Sequence, residues 1–158
     1  VIGSCSLDYA FEKMKDIKNK TRYSNLAVLS ALTISAPFFA IMFGGTFKDS
    51  IVSFVVMAVE AAFLLFIGRY KVIYFLTNFL GAFISTVLVM ILAKFFFIHN
   101  PVSIIIVSLM PLVPGVQITN SVRDFMAGDY LSGIIGVQSA IFVSIAIALG
   151  VVMGLKIV

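Results

Sequence analysis

The sequence predicts an all-α, polytopic helical membrane protein with five transmembrane helices, the fourth broken by proline, and a short amphipathic helix in front. Composition is the first reason: 61% of the 158 residues are hydrophobic and 11% are charged, with a mean hydropathy of +1.16. A soluble domain of this size has too high a surface-to-volume ratio to hide that much apolar surface, and lipid is the solvent that tolerates it. Patterning is the second, because long apolar stretches with short connections fill the chain from Tyr23 to Val158. The third is the run Pro111-Leu112-Val113-Pro114-Gly115 inside the fourth stretch. A membrane helix interrupted in mid-span must recover its backbone hydrogen bonds from protein or from a water-filled cavity.

Taken in order, residues 1–23 read as a juxtamembrane amphipathic helix, the end of an N-terminal soluble region preceding the membrane part, which either lies at the lipid interface or docks as a solvated linker on that region. Ser6 can cap it, Leu7, Ala10, Phe11, Met14 and Ile17 recur at helical spacing, and Asp8, Glu12, Lys13, Asp16 and Lys20 mark the other face. Residues 24–158 form the membrane domain. Its expected spans are Ser24 to Phe43, Ile51 to Ile67, Val72 to Ile98, Val102 to Val116 and Leu131 to Ile157, with lengths suited to a hydrocarbon core of about 30 Å. Only the segment from Gln117 to Tyr130 is long enough to add a helix between spans.

Charge sets the orientation. Lys13, Lys15, Lys18, Lys20 and Arg22 crowd before the first span, and five spans would place Arg69, Lys71 and Arg123 on their side. Lys48, Lys94 and Lys156 fall on the other. The N-terminus is therefore expected in the cytoplasm. The net charge of +4 reflects this juxtamembrane cluster, and no nucleic-acid partner is expected from it.

Enzymatic chemistry finds little support. The single Cys5 allows no intrachain disulfide, and His99 sits in a turn beside Asn100-Pro101. There is no Ser-His-Asp set, no metal-ligand cluster and no phosphate-cradling glycine loop in the sequence. No metal, cofactor or catalytic residue is expected.

The chemistry-bearing residues lie in the spans and at the break. Glu60 is the one ionisable residue near the middle of a span, where a charged acid costs roughly 2.5–3.5 kcal/mol on insertion scales. It should face the bundle interior, either as an ion-coupling carboxyl or as a structural one bonded to a neighbouring helix. Asn78, Gly81, Ala82 and Ser85 form one small, polar stripe on the third span, and Gly136, Ala140, Ser144 and Ala148 a small one on the fifth. Pro111 and Pro114 lack amide hydrogens and should free the carbonyls of Val107 and Met110. Gly115 allows unusual backbone angles there, and Ser121-x-x-Asp124 resembles a helix start that Gly128 would end. Unpaired amides at such a start, together with Arg123, would attract a carboxylate. The alternative is a proline kink followed by a loop in which Arg123 only sets topology.

The run Leu112-Val113-Pro114-Gly115, Thr119-Asn120, Arg123-Asp124, Ala127-Gly128-Asp129 and Ser132-Gly133 is similar to the signature of the threonine/serine exporter family. Phe43-Gly44-Gly45 followed by Asp49 resembles that family's turn after the first span. The likeness extends by pattern and span order over almost the whole chain and fits the first, N-terminal membrane half. It implies a subunit or half of an exporter of threonine and serine, or of succinate in split pairs, in the plasma (inner) membrane. It also implies a second small membrane subunit or half as partner within an oligomer. Carried over as motif positions are Asp49, Pro114, Gly115, Thr119, Asn120, Arg123, Asp124, Gly128 and Asp129.

The expected substrate site thus comprises Asn78, Pro114, Gly115, Gln117, Thr119, Asn120 and Arg123, with Glu60 and Asp124 as ion-coupling residues. Gly44, Gly45, Asp49, Pro111, Gly128 and Asp129 are expected to serve structure. The substrate would be a small carboxylate or amino acid, and the competing reading is a channel or scaffold subunit without carrier activity.

Overall fold

A computed structural model describes residue 14 and residues 24–70, 73–96 and 98–158. Apart from residue 14, the amphipathic helix expected over residues 1–23, with its basic cluster, lies outside the described residues, as does Lys71. Within them the chain is helical: α1 (Asn25–Met42), α2 (Phe47–Ile67), α3 (Tyr74–Phe96), α4 (Pro101–Leu109), α5 (Gly115–Met126) and α6 (Tyr130–Ile157).

Local chemistry sets the ends. After α1, Gly44 takes φ +81, the Gly45 amide donates to Ala40 at 2.8 Å and the Gly44 amide to Ile41 at 3.0 Å. This pair of bonds is a Schellman closure, which needs a left-handed residue. At Gly45 a Cβ would come within 2.7 Å of the Ala40 carbonyl oxygen, so this glycine permits a close approach. Thr46 then begins α2 with a capping box: its hydroxyl accepts the Asp49 amide at 3.4 Å and its amide donates to Asp49 Oδ2 at 2.7 Å. The box carries Lys48 and Asp49 into the helix, which starts at Phe47 rather than at the expected Ile51. Asn100 caps α4, accepting the Ser103 amide at 3.3 Å, with Pro101 in the first turn.

By length and composition α2, α3 and α6 can each cross a membrane, and the apolar part of α1, Leu26–Met42, is shorter. The nine residues of α4 and twelve of α5 rise only about 14 and 18 Å at 1.5 Å each, too little to cross alone. The stretch Val102 to Val116 is accordingly not one helix: α4 stops at Leu109 and α5 starts at Gly115. The two also dock differently, α4 against α1, α2 and α3, and α5 against α6.

Close packing joins α3 to α6. A Cβ on Gly150 would lie 2.5 Å from the Phe79 carbonyl oxygen, and one on Gly154 would lie 2.8 Å from Thr86 Cβ. With no hydrophobic drive between helices in lipid, such small residues gain dispersion contact by letting backbones approach. The stripe singled out from sequence on this helix divides instead. Gly136 lies against Ser121 of α5, Ala140 is buried, and Ser144 and Ala148 are exposed. Outside, Phe38, Phe54, Ile141 and Phe142 are more than two-fifths exposed, an apolar coat suited to hydrocarbon.

Candidate functional site

Most buried polar side chains in the bundle are satisfied by their own helix. Ser53, Thr86, Ser108 and Ser121 donate to carbonyls three or four residues back, at 2.7–2.8 Å. A hydroxyl bonded in this way adds no unpaired donor to the interior. Asn78 does the same through Nδ2 to the Tyr74 carbonyl at 2.7 Å.

Glu60 is an exception. It is 2% exposed, and neither carboxyl oxygen has a hydrogen-bond partner. Oε1 bears on the backbone of α3 at Gly81, where a Cβ would sit 3.3 Å from it. The same imagined Cβ would lie 3.2 Å from Leu112 Cδ1. Three parts of the chain therefore meet at one point: α2 through Glu60, α3 through Gly81, and the turn between α4 and α5 through Leu112. Asn78 and Ser85 flank Gly81 on the buried stripe of α3. The Ser85 hydroxyl lies 2.5 Å from the Gly81 carbonyl, to which it donates, and beside the Glu60 carboxyl.

The turn over residues 110–114 leaves backbone groups free. Met110 donates to Val107 at 3.2 Å, and Leu112 and Val113 both donate to Leu109, at 3.0 and 3.3 Å. The Val107 carbonyl, expected to be free, is thus occupied by the amide of Met110, because the chain tightens there instead of running on as an α-helix. Among the described residues no donor reaches the carbonyls of Met110, Pro111 and Leu112. At the start of α5, Gly115 donates to Val113 at 2.8 Å, Ile118 to Pro114 at 3.1 Å, and Pro114 supplies no side-chain cap. The amides of Val116 and Gln117 remain without a backbone acceptor, and Gln117 Oε1 is buried without a partner.

This helix start corrects the sequence reading. Ser121 and Asp124 lie inside α5, and the Ser121 hydroxyl donates to the Gln117 carbonyl at 2.7 Å. Pro114, with its fixed φ, initiates the helix instead. Arg123 consequently falls in the last turn, about 10 Å along the axis from the Val116 amide. The helix-start amides and the guanidinium do not converge. Thr119, Asn120 and Arg123 are exposed, and Asp124 is half-buried. Thr119 donates to the Gly115 carbonyl at 2.9 Å.

Two groups of the expected site residues therefore form. Glu60 and Asn78 lie inside, with Gly81, Ser85 and Leu112, while Thr119, Asn120 and Arg123 lie outside on α5. Leu112 escaped sequence reasoning as an individual residue, although its place between the two prolines was the available signal. The surfaces beside the break are apolar grooves. One of about 400 Å³ is lined by Leu109, Val113, Pro114, Ile147 and Val151, and another of about 450 Å³ by Ile118, Val137, Ala140 and Ile141.

The remaining motif positions make turns. Gly128 has φ +83, the Asp129 amide donates to Asp124 at 2.9 Å and the Gly128 amide to Phe125 at 3.1 Å, a second Schellman closure. Asp129 then caps α6, accepting the Ser132 amide at 3.2 Å and hydroxyl at 2.7 Å. Those bonds hold its carboxyl below the usual carboxylate range. Gly133 leaves room for the Phe125 ring, which a Cβ would meet at 2.9 Å. Among the described residues, no group of three or more His, Cys, Asp or Glu side chains could hold a metal ion.

Across residues 1–158 the chain matches the ThrE family model, described as "Putative threonine/serine exporter". No curated protein and no solved structure matches it.

Proposed function

The chain belongs to the ThrE family of threonine/serine exporters, and on that premise we propose that it is one half or subunit of a proton-coupled secondary exporter of small hydrophilic carboxylates. The substrates in this reading are threonine and serine, or a succinate-type dicarboxylate. The carrying observation is Glu60, a buried carboxyl with no charged partner and with the Ser85 hydroxyl beside it, packed against the turn that separates α4 from α5. A carboxyl in lipid is costly when charged and is retained where it serves an ion or substrate pathway. Protonation and release give such a group the two states that coupling needs.

In this reading α4 and α5 together make the fourth of five membrane passages, with the N-terminus in the cytoplasm and the protein in the plasma membrane. The bare amides of Val116 and Gln117 and the free carbonyls of residues 110–112 offer the substrate's carboxylate and ammonium complementary partners, as broken helices do in transporters. Arg123 stands at the far end of α5 as the first carboxylate contact for an approaching substrate. The exposed polar side chains of Thr119, Asn120 and Arg123 are poorly suited to lipid, which supports a second small membrane half against this face, with the pathway between the two.

The test is counterflow in proteoliposomes containing both halves, loaded in turn with threonine, serine and succinate. Saturable exchange of at least one of them is expected. A pore or scaffold would give no counterflow, and that result would remove the carrier reading.

A further inference from the structure

Resting on the proton-coupling reading above, we propose that Leu112 is the seal that separates the Glu60 carboxyl from the pathway at the break, and that displacement of the 110–114 turn opens it. Leu112 is 3% exposed, while Met110 and Val113 in the same turn are 37% and 53% exposed. Leu112 and Pro114 are the buried residues of this turn, and Leu112 is the one whose side chain reaches Gly81. Both of its methyl groups lie against Gly81, at 3.2 and 3.3 Å from where a Cβ would be, and Glu60 Oε1 lies 3.3 Å from the same position. The leucine and the carboxyl therefore share one small volume over bare α3 backbone. A larger residue at position 81 would displace one or the other.

Toward the start of α2 the surroundings of Glu60 are closed. Ala61, Val56 and Met57 on its own helix are buried, and Ser53 is tied to the Ser50 carbonyl at 2.8 Å. No charged group faces it from a neighbouring helix: α1 and α4 carry none. The one charge on α3 is Lys94, about 20 Å along the axis from Gly81. Lys94 donates to the Val158 carbonyl at 3.0 Å, at the far end of α6. In this scheme a proton reaches Glu60 past the turn.

The turn is suited to move. Its amides make bonds of 3.0–3.3 Å to Val107 and Leu109, its carbonyls from Met110 to Leu112 receive none, and α4 and α5 dock on different neighbours. Swinging Leu112 outward would leave the intrahelical bonds of α2, α3 and α6 intact. A hinge between two short helices absorbs such a change in a few dihedral angles. Leu112 is a positioning residue in this scheme: it does not touch the proton, it decides when Glu60 can exchange one.

The experiment is modification of Glu60 by a water-soluble carbodiimide with an amine nucleophile, on the full-length protein in membrane vesicles, read by peptide mass. Glu60→Gln identifies the peptide by losing the label. Wild-type protein should react slowly and Leu112→Met at nearly the same rate. Leu112→Val should react faster, and Leu112→Ala fastest, by about fivefold or more, the low end of a coupling between two states. A cysteine introduced by Ser53→Cys should stay equally protected from maleimide in all of these backgrounds. Equal labelling of Glu60 across the leucine series would overturn the proposal, as would a parallel loss of protection at position 53. The readout needs no transport, so the seal can stand where the coupling reading falls: graded labelling, with proton-driven flux intact in Glu60→Gln, would separate the two.

Discussion

The Asp49 carboxylate of α2 accepts the backbone amide of His99 at 3.1 Å, joining the turn after α1 to the turn after α3. Its other oxygen closes the capping box with Thr46 at 2.7 Å, and nearby the Ser103 hydroxyl donates to the Phe43 carbonyl at 2.9 Å. One buried carboxylate thus ends one connection and anchors another. Replacing Asp49 by Ala removes a helix cap and leaves the His99 amide unpaired, and should cost about 2 kcal/mol of stability. Asp49→Asn, which keeps one acceptor oxygen, should cost less. Thermal unfolding of the purified protein in detergent orders the two; equal midpoints for Ala and wild type would remove Asp49 from this role.

The α3–α6 contact is expected to be intolerant of even a methyl group. Gly150→Ala forces a carbon toward the Phe79 carbonyl and should destabilise by about 1–3 kcal/mol through overpacking. Gly115→Ala is the control, since a Cβ there meets nothing within 4 Å. Its unfolding midpoint should stay near that of wild type, or rise.

Gly128 offers a different test, because a Cβ there also meets open space. Gly128→Ala should still cost about 1 kcal/mol, from the positive φ alone. Beside it, the Asp129 carboxyl is lowered by its bonds from Ser132. A carboxyl lowered on folding stabilises the fold above its unfolded value of about 3.9 and loses that contribution as pH falls through the folded one. Asp129→Asn should therefore narrow the stability gap between neutral pH and pH below about 4, as followed by unfolding midpoints across that range.

Arg123 is expected to matter for capture of substrate rather than for folding, since it is exposed on α5 and makes no ion pair among the described residues. Arg123→Ala should raise the KM for counterflow and leave the unfolding midpoint unchanged. Flux and KM identical to wild type would show that this arginine only sets topology.

The long apolar helices were legible within a few residues, because twenty apolar residues in a row admit few other structures. Their starts were less so. Thr46 and Asp49 extend α2 by a capping box that places a lysine and an aspartate inside a helix read as apolar. Ser121-x-x-Asp124 has the local form of a cap, yet Pro114 starts the helix earlier and leaves both residues within it. The stripe on α6 illustrates a second limit: Gly136 to Ala148 and Gly150 to Gly154 look equally small in sequence, and only the position of α3 decides which of them it meets. For the candidate site, Glu60 stood out as a lone acid in a span. Its partners Gly81 and Leu112 are brought to it by helix packing, which local periodicity does not encode.

The coupling role proposed for Glu60 is tested most directly by comparing two fluxes in proteoliposomes that hold Glu60→Gln with the proposed partner half. Exchange of labelled for unlabelled substrate at equal pH should persist, while accumulation driven by a pH gradient should vanish. Gradient-driven accumulation equal to that of wild type would contradict the account.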